Sequence, residues 1–458
     1  MSDLKFERLG EVVRELMEKY RVPGAAVGVW YKGEVESAGF GITSVENPLD
    51  VTADTLFQVG SISKTVTATM IMMLVEQGKV DLDATFQSYF PDFKVKDETA
   101  AAQATIRNLL THTSGWAGDV FEDTGAGDDA SARFMALMSE VDQLAPTGTI
   151  WSYNNANFYL LGHLIEHITG ESYQSAVRRM VFEPLGMNHT YLDPADVITH
   201  RFAVGHLIDD DEVKVGRPWY LPRAAYPVGG VVTCVADLLA YAQFHMGDGK
   251  TAEGKRLLSS ESLSLMQQPQ FEIGGKDQAI GLSWFINDRD GIRLLSHGGG
   301  TKGQVSRLVL ALARNAAFAI FTNGDEGGHI TEDVTRWILK EYLAIETTDP
   351  KPDESFGTVG FLVEYIGRYS RPYADITLTM EDGGLKGEIV NKQGFPNRDT
   401  PPAPPPPPAR LLFYEKDKVI AVDDNFDRAR GEFFRKPDGE LGWFRWGGRL
   451  HRFWNNKS

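Results

Sequence analysis

The chain has 458 residues, of which 42% are hydrophobic and 24% charged, and its formal net charge is −17. This length predicts two domains, with three as the alternative, and the composition is typical of a soluble globular protein. The negative charge makes nucleic acid a poor partner, because an anionic polymer would be repelled. The single cysteine, Cys234, excludes an intramolecular disulfide and fits a reducing compartment. Its apolar neighbours indicate a buried side chain rather than a reactive thiol.

The N-terminal segment does not resemble a secretory signal, because residues 1–7 have neither a basic start nor an apolar run. The longest apolar helical stretch, residues 66–75, is too short to span a bilayer. We therefore expect a cytoplasmic protein with no membrane partner, and the sequence predicts no particular oligomeric state. It contains no Cys/His cluster and no His-Glu-x-x-His spacing, so neither a metal nor another cofactor is expected.

The first part of the chain mixes strand and helix patterns. Helical spacing over residues 4–20 is followed by two strand-like runs, 25–31 and 35–40, and then by a predicted helix over 61–77 that ends at Gly78. Helical patterns dominate from residue 132 to residue 270, with loops over 188–226. The later elements are strands at 281–286, 292–296, 306–311 and 316–322, and a helix at 331–343. Strands at both ends predict one sheet built from distant segments, with the helices packed beside it.

The chain changes character after residue 347. Residues 348–355 are typical of a linker. Short strand candidates then recur at 367–369, 376–380, 385–389, 410–415, 419–422, 430–435, 441–446 and 449–453. This spacing predicts a small antiparallel barrel or sandwich. We therefore predict a first domain over 1–347, a linker over 348–355 and an all-β domain over 356–458.

Residues 57–64, Phe-Gln-Val-Gly-Ser-Ile-Ser-Lys, carry a Ser-x-x-Lys motif. Gly60 allows a sharp turn into the helix, and Ser61 then lies where free N–H groups and the helix dipole favour negative charge. Lys64 follows one turn later on the same face. A serine needs a base, and lysine can serve if a desolvated pocket keeps it partly neutral. The motif predicts an acyl-enzyme mechanism, although alone it also fits an N-cap serine and a solvated lysine.

A second motif, Trp-Ser-Tyr-Asn-Asn, occupies residues 151–155. Tyr153 could shuttle the serine proton, and Asn155 could hydrogen-bond Lys64 or a substrate amide. The alternative is a buried aromatic residue followed by an N-capping asparagine.

A third motif, Ser-His-Gly-Gly-Gly, occupies residues 296–300 at the end of a strand-like run. Its glycines would let a substrate approach closely, and its successive N–H groups could bind an oxyanion. The alternative is a flexible hairpin turn with a surface histidine.

Together and in this order, the three motifs resemble the serine β-lactamase-related family, which includes class C β-lactamases, DD-peptidases, D-aminopeptidases and family VIII esterases. Similar stretches also occur at residues 109–115, 183–187 and 227–231. The resemblance covers residues 1–345. It implies a mixed α/β fold with a central antiparallel sheet and a helical domain, followed by a lipocalin-like barrel over residues 355–458.

The resemblance also implies roles for individual residues. Ser61, Lys64 and Tyr153 would be catalytic, and the backbone N–H groups of Ser61 and Gly300 would form an oxyanion hole. The remaining substrate contacts would come from Asn155, His297, Gly298 and Gly299.

One departure from the family pattern bears on the substrate. His297 stands where penicillin-recognising members usually place a lysine that pairs with a carboxylate. We therefore predict a serine hydrolase that acts on a small-molecule ester or peptide-like substrate, with a carboxylesterase for small or medium acyl esters as the first choice. The alternatives are a D-stereospecific aminopeptidase or amidase, a weak β-lactamase and, in another class, a binding or regulatory module with a relic site.

Overall fold

The computed structural model describes residues 2–275, 277–289, 291–395, 397, 399–423, 426 and 429–454. The chain forms two compact units. The first contains residues 1–84, 124–135 and 158–347, and the second contains residues 85–123, 136–157 and 348–458. The second unit therefore includes two segments that the sequence analysis assigned to the first domain. The predicted division into domains stays a prediction, and its last residues, 455–458, lie outside the described part.

The first unit contains most of the long elements. Its strands are β1 (Gly24–Tyr31), β2 (Glu34–Gly41), β3 (Phe57–Gln58), β4 (Thr190–Tyr191), β5 (His206–Asp209), β6 (Glu212–Val215), β7 (Val232–Thr233), β8 (Phe271–Gly275), β9 (Gln278–Ile280), β10 (Phe285–Arg289), β11 (Ile292–Thr301), β12 (Gln304–Ala311) and β13 (Ala316–Thr322). The main sheet is antiparallel with the order β2-β1-β13-β12-β11-β10-β9-β8.

Most helices of the chain belong to this unit. They are α1 (Ser2–Lys19), α2 (Ser63–Glu76), α3 (Phe86–Tyr89), α4 (Glu98–Gln103), α5 (Ile106–Leu110), α6 (Ala130–Leu137), α7 (Ala156–Thr169), α8 (Tyr173–Val177), α9 (Pro194–Val197), α10 (Tyr226–Gly229), α11 (Val235–Met246), α12 (Ser260–Met266), α13 (Gly327–Leu343) and α14 (Val359–Leu362). Helices α3, α4, α5 and α14 belong to the second unit, and the chain passes from one unit to the other within α6 and α7.

The main sheet is covered on both faces, which explains the nearly continuous apolar run of β1. Side chains alternate along a strand, so Val27 and Val29 point to one face and Gly28 to the other. Val27 and Val29 belong to a buried cluster with residues of α1 and α13. On the other face, a Cβ on Gly28 would lie 2.1 Å from Val235 Cγ1 of α11. The glycine therefore allows α11 to pack directly against the sheet.

The structure differs from the predicted elements of this unit in three places. Strand β11 continues through residue 301, so the interpretation of residues 297–300 as a flexible turn is wrong. Of the predicted strand over 281–286, only residues 285 and 286 lie in a strand, β10, and residues 281–284 connect β9 to β10. The predicted loop over 188–226 contains β4, α9 and the β5–β6 hairpin, and each strand of that hairpin has only four residues, too few for a clear pattern.

In the C-terminal part of the second unit, the described residues form a closed barrel. Its strands are β14 (Gly367–Ser370), β15 (Ala374–Glu381), β16 (Gly384–Asn391), β17 (Ala409–Glu415), β18 (Lys418–Ala421), β19 (Arg430–Arg435), β20 (Leu441–Trp446) and β21 (Arg449–Trp454). Each strand pairs with the next, and β21 pairs with β14, which closes the barrel. Every predicted strand segment of this region is confirmed within two residues at each end.

Stacked aromatic rings fill the barrel interior. The rings of Phe433 and Phe444 lie 4.4 Å apart at 20°, and Phe444 also contacts Tyr369 and Trp446. Small barrels need bulky side chains to fill their interior, and inward-facing positions alternate along each strand to supply them. No helix in the described part of the chain is long and apolar enough to cross a membrane.

Replacing Phe444 by alanine tests the barrel core. Phe444 is fully buried, so Phe444→Ala should lower the free energy of unfolding of the barrel by about 3–5 kcal/mol, because it removes contacts and leaves a cavity. Trp454→Ala is the control, because Trp454 is 60% exposed and its loss should cost no more than about 0.5 kcal/mol. Urea unfolding followed by circular dichroism measures both. Equal losses would contradict this description of the core.

Candidate active site

The turn before α2 is fixed by backbone and side-chain hydrogen bonds. Gly60 has φ +50°, a conformation that suits glycine, and residues 60–62 form a short 3₁₀ turn that leads into α2. The Ser63 hydroxyl donates to Gly60 O at 2.7 Å and accepts from Val231 N at 3.0 Å, and Val59 N donates to Val231 O at 3.0 Å. These bonds hold Ser61 on a rigid turn.

Lys64 is fully buried and points at Ser61. Its Nζ lies 2.8 Å from Ser61 Oγ and 2.9 Å from Val228 O, and it lies 5.7 Å from the centroid of the Phe158 ring. The spacing of three residues on a helix brings the two side chains together, as the sequence predicts. Burial disfavours the charged form of an amine, and a neutral amine at this distance can accept the hydroxyl proton. The solvated-lysine interpretation is therefore wrong.

The glycines of β11 allow the strand to touch the Ser61 turn. A Cβ on Gly299 would lie 1.9 Å from Val59 O and 2.8 Å from Ser61 N. A Cβ on Gly60 would lie 2.7 Å from Gly300 N. Ser306 on β12, opposite Gly299, donates from its hydroxyl to Val59 O at 2.8 Å. Only residues without side chains permit this approach. As a result, the backbone of residues 60–61 lies close to the backbone of residues 299–300.

His297 precedes these glycines and is buried rather than on the surface. It is 1% exposed, its ring centroid lies 5.3 Å from that of Phe285, and its Nδ1 lies 2.6 Å from Gly298 O. Burial, followed by the charges of Lys64 and Arg307, lowers the pKa of His297 to about 3. The imidazole is therefore neutral at physiological pH.

Tyr153 and Asn155 lie in the second unit, whereas Ser61, Lys64, His297 and the three glycines lie in the first. Tyr153 is 7% exposed, and its ring stacks on that of His112 with centroids 4.5 Å apart. Asn155 donates from Nδ2 to Asp119 Oδ1 at 2.8 Å. Asn154, between them, accepts from Asn157 N and therefore caps α7. The sequence analysis assigned an N-capping asparagine to this motif only as an alternative.

Two contributors to these sites were not predicted. Val228 acts through its carbonyl oxygen, and a sequence does not show where a carbonyl points. Asp119 lies in a stretch rich in glycine and aspartate that resembles an exposed loop, yet it is 8% exposed and accepts from Asn155. No spacing rule connects Asp119 with residue 155.

A group of possible metal ligands, His189, Cys234 and Asp237, lies apart from the motifs, with their ligand atoms within 4.8 Å of one another. Asp237 Oδ2 already accepts from His189 N at 2.6 Å and from the Thr190 hydroxyl at 2.8 Å. Burial raises the pKa of the Cys234 thiol to about 11. Through these hydrogen bonds Asp237, on α11, holds the backbone of residue 189 and the side chain of residue 190. The expectation that no metal binds stays a prediction.

Comparisons with known proteins show which family this chain matches. Residues 9–342 match the family model described as Beta-lactamase. Penicillin-binding protein 4 of Amycolatopsis lactamdurans is 34% identical over 339 residues, which cover 72% of this chain and 88% of that protein. The unguisins hydrolase ungD of Aspergillus violaceofuscus is 30% identical over 51% of this chain and 43% of its own length.

Solved structures share the fold. The crystal structure of SurE covers 99% of this chain and all of its own, with a TM-score of 0.76 and 24% identity. The D-amino acid amidase of Ochrobactrum anthropi SV3 covers 73% of this chain and 99% of its own, with a TM-score of 0.60 and 24% identity. The match to SurE includes the barrel, whereas the match to the amidase covers only part of this chain. Because the family model spans most of the chain, and because a relative is 34% identical over most of its length, this chain belongs to the Beta-lactamase family and is a serine hydrolase.

Proposed function

We propose that this enzyme hydrolyses small or medium acyl esters through an acyl-enzyme formed on Ser61. The observation that carries the proposal is the 2.8 Å separation of Lys64 Nζ and Ser61 Oγ, with the amine fully buried. Val228 O accepts a hydrogen bond from Nζ and holds it beside the Ser61 hydroxyl, so the amine is in place to take the hydroxyl proton whenever it is neutral.

The reaction would proceed in two half-reactions. Ser61 Oγ attacks the ester carbonyl carbon while its proton moves to Lys64 Nζ, and the tetrahedral intermediate collapses as the leaving alkoxide takes a proton. Tyr153 is the candidate for relaying protons to the leaving group and from the attacking water. Water then attacks the acyl-enzyme, which releases the acid and restores the Ser61 hydroxyl.

The oxyanion hole would consist of the backbone N–H groups of Ser61 and Gly300. The support is the close approach of the two segments, because a Cβ on Gly299 would lie 2.8 Å from Ser61 N and a Cβ on Gly60 would lie 2.7 Å from Gly300 N. Fixed backbone donors stabilise a developing oxyanion without reorganisation.

The surroundings of His297 favour a neutral substrate. Because the imidazole is buried and its pKa is about 3, it supplies no cation to pair with a substrate carboxylate at this strand position. A neutral ester does not need that cation, and esters are easier to cleave than amides. The histidine also adds no positive charge beside Lys64.

Amides or esters of D-amino acids are the second candidate. The support is the family relationship, together with the fold shared with a D-amino acid amidase and with SurE, which was also crystallised with D-Leu. A panel of p-nitrophenyl esters and of paired D- and L-amino acid amides distinguishes the two candidates. No turnover and no labelling by a fluorophosphonate would instead favour the binding module with a relic site.

Replacing Ser61 by alanine should reduce ester hydrolysis by several orders of magnitude while leaving the melting temperature unchanged, because it removes only the nucleophile. Ser63→Ala is the matched control. The buried Ser63 hydroxyl bonds Gly60 O and Val231 N, so its loss should cost about 1–3 kcal/mol of stability and keep the nucleophile. Steady-state rates with p-nitrophenyl acetate and thermal unfolding measure both effects. A Ser61→Ala variant that keeps most of its activity would contradict the mechanism.

Replacing Gly299 by alanine should lower both the melting temperature and the rate, because a Cβ there would collide with Val59 O and with Ser61 N. The neighbouring Gly300→Ala variant should keep the melting temperature, because nothing lies within 4 Å of its Cβ. Thermal unfolding separates the two variants. Equal destabilisation would show that the close approach at Gly299 does not constrain the site.

Short-chain p-nitrophenyl esters should have a higher kcat/KM than nitrocefin at pH 7.5, because a neutral His297 does not attract a carboxylate. Lowering the pH to 6 should not improve nitrocefin turnover relative to the ester, because a group with a pKa of about 3 stays neutral over that range. His297→Lys should shift the preference towards nitrocefin. A higher kcat/KM for nitrocefin with the unmodified enzyme would overturn the ester assignment while leaving the role of Ser61 intact.

A further inference from the structure

The barrel contacts the segment that carries Tyr153, and both belong to the second compact unit. We call residues 151–155 the tyrosine segment, and β20, β21 and their turn at residues 447–448 the barrel hairpin. Tyr153 N donates to Gly448 O at 2.8 Å, and Leu450 N donates to the Ser152 hydroxyl at 3.1 Å. Arg445 donates from Nη1 to Trp151 O at 3.2 Å. Three successive residues of the tyrosine segment are therefore held by the barrel hairpin.

The turn of the barrel hairpin is shaped for this contact. Gly447 and Gly448 have φ +55° and +75°, the conformation of a tight two-residue turn that suits glycine at both positions. A Cβ on Gly448 would lie 3.2 Å from the indole of Trp151. The turn therefore lies directly against the tyrosine segment, and a side chain at Gly448 would push against it.

Arg449 follows this turn and fixes the Tyr153 ring. The centre of its guanidinium lies 4.5 Å from the ring centroid, at a distance typical of a cation–π contact. The same ring stacks on His112. Arg449 Nε also lies 3.5 Å from Asp119 Oδ2. The guanidinium is thus held by a carboxylate while it covers the aromatic ring.

Asp119 connects the barrel to Asn155. It accepts from Asn155 Nδ2 and forms ion pairs with Arg371 and Arg449, both of which belong to the barrel. Burial alone would raise the pKa of Asp119, but the charges of Arg449 and Arg371 and the hydrogen bonds from Arg371 and Asn155 lower it to about 2. The carboxylate is therefore ionised at working pH, and its single charge balances one of the two guanidinium charges that contact it.

We propose that the barrel positions two residues of the tyrosine segment: Arg449 positions the Tyr153 ring, and Arg371, through Asp119, positions Asn155. This inference rests on the proposed function, in which Tyr153 relays protons. It implies that the alignment of that relay depends on the barrel hairpin, which lies nearly three hundred residues after the tyrosine segment in the sequence. In this proposal both arginines are positioning residues, and neither contacts the reacting atoms.

A double-mutant cycle on the full chain tests the proposal with p-nitrophenyl acetate. Arg449→Gln should lower kcat about tenfold and leave KM within about twofold, since positioning affects the chemical step rather than binding. Arg449→Lys should recover part of the rate, because an ammonium can still lie over the ring. In the Tyr153→Phe background, Arg449→Gln should cost nothing further, because residues that act as one unit are non-additive.

Arg435→Gln is the matched control. Arg435 is another barrel arginine, and it pairs with Glu364 and Asp417 rather than with Asp119. Its loss should lower stability and leave kcat unchanged. If Arg449→Gln does not fold, Arg449→Lys completes the same cycle.

The outcomes separate the inference from the proposed function. Additive losses in the double variant, or Arg449→Gln with full activity, would overturn the positioning role alone. A Tyr153→Phe variant with full activity would contradict the relay and the positioning role together. If Tyr153→Phe lowers kcat severely and Arg449→Gln lowers it no further in that background, both the relay and the positioning role are supported.

Discussion

The buried contact between Lys64 and Ser61 is the interaction on which the proposed chemistry of this enzyme depends. An exposed lysine would be protonated and held by water, and it could not act as a base for a hydroxyl. Here the amine is fully buried, and the turn at Gly60 fixes the hydroxyl beside it. The same turn requires a glycine on β11, because the strand approaches the backbone of Val59 and Ser61 too closely for a side chain. Catalytic geometry and sheet packing therefore impose the same constraint.

The charges around Ser61 differ from the charges around Tyr153. Around Ser61, burial keeps His297 neutral, so Lys64 has no second cation from that residue beside it. Around Tyr153, the cations of the barrel are fixed and one carboxylate balances part of their charge. The net charge of −17 therefore does not describe either environment.

The sequence was sufficient where a local rule decides the structure. The spacing of Ser61 and Lys64 places both side chains on one helical face, and short strand-like runs between turn signals mark the barrel strands to within two residues. It was insufficient where tertiary contacts decide. Strand β11 runs through three glycines because they pack against the Ser61 turn, and the local pattern alone also fitted a hairpin turn. The contacts of Arg449 and Asp119 with the tyrosine segment depend on how distant parts of the chain fold together, and no spacing rule contains that information.

The central claim is that acyl transfer passes through Ser61, and trapping the intermediate tests it most directly. The enzyme would be mixed with p-nitrophenyl acetate, quenched in acid at short times, digested and analysed by mass spectrometry. The account predicts one acetyl group on the peptide that contains Ser61, formed as fast as the first turnover and lost as the ester is exhausted. Turnover with no modified peptide, or with the acetyl group on another residue, would contradict it.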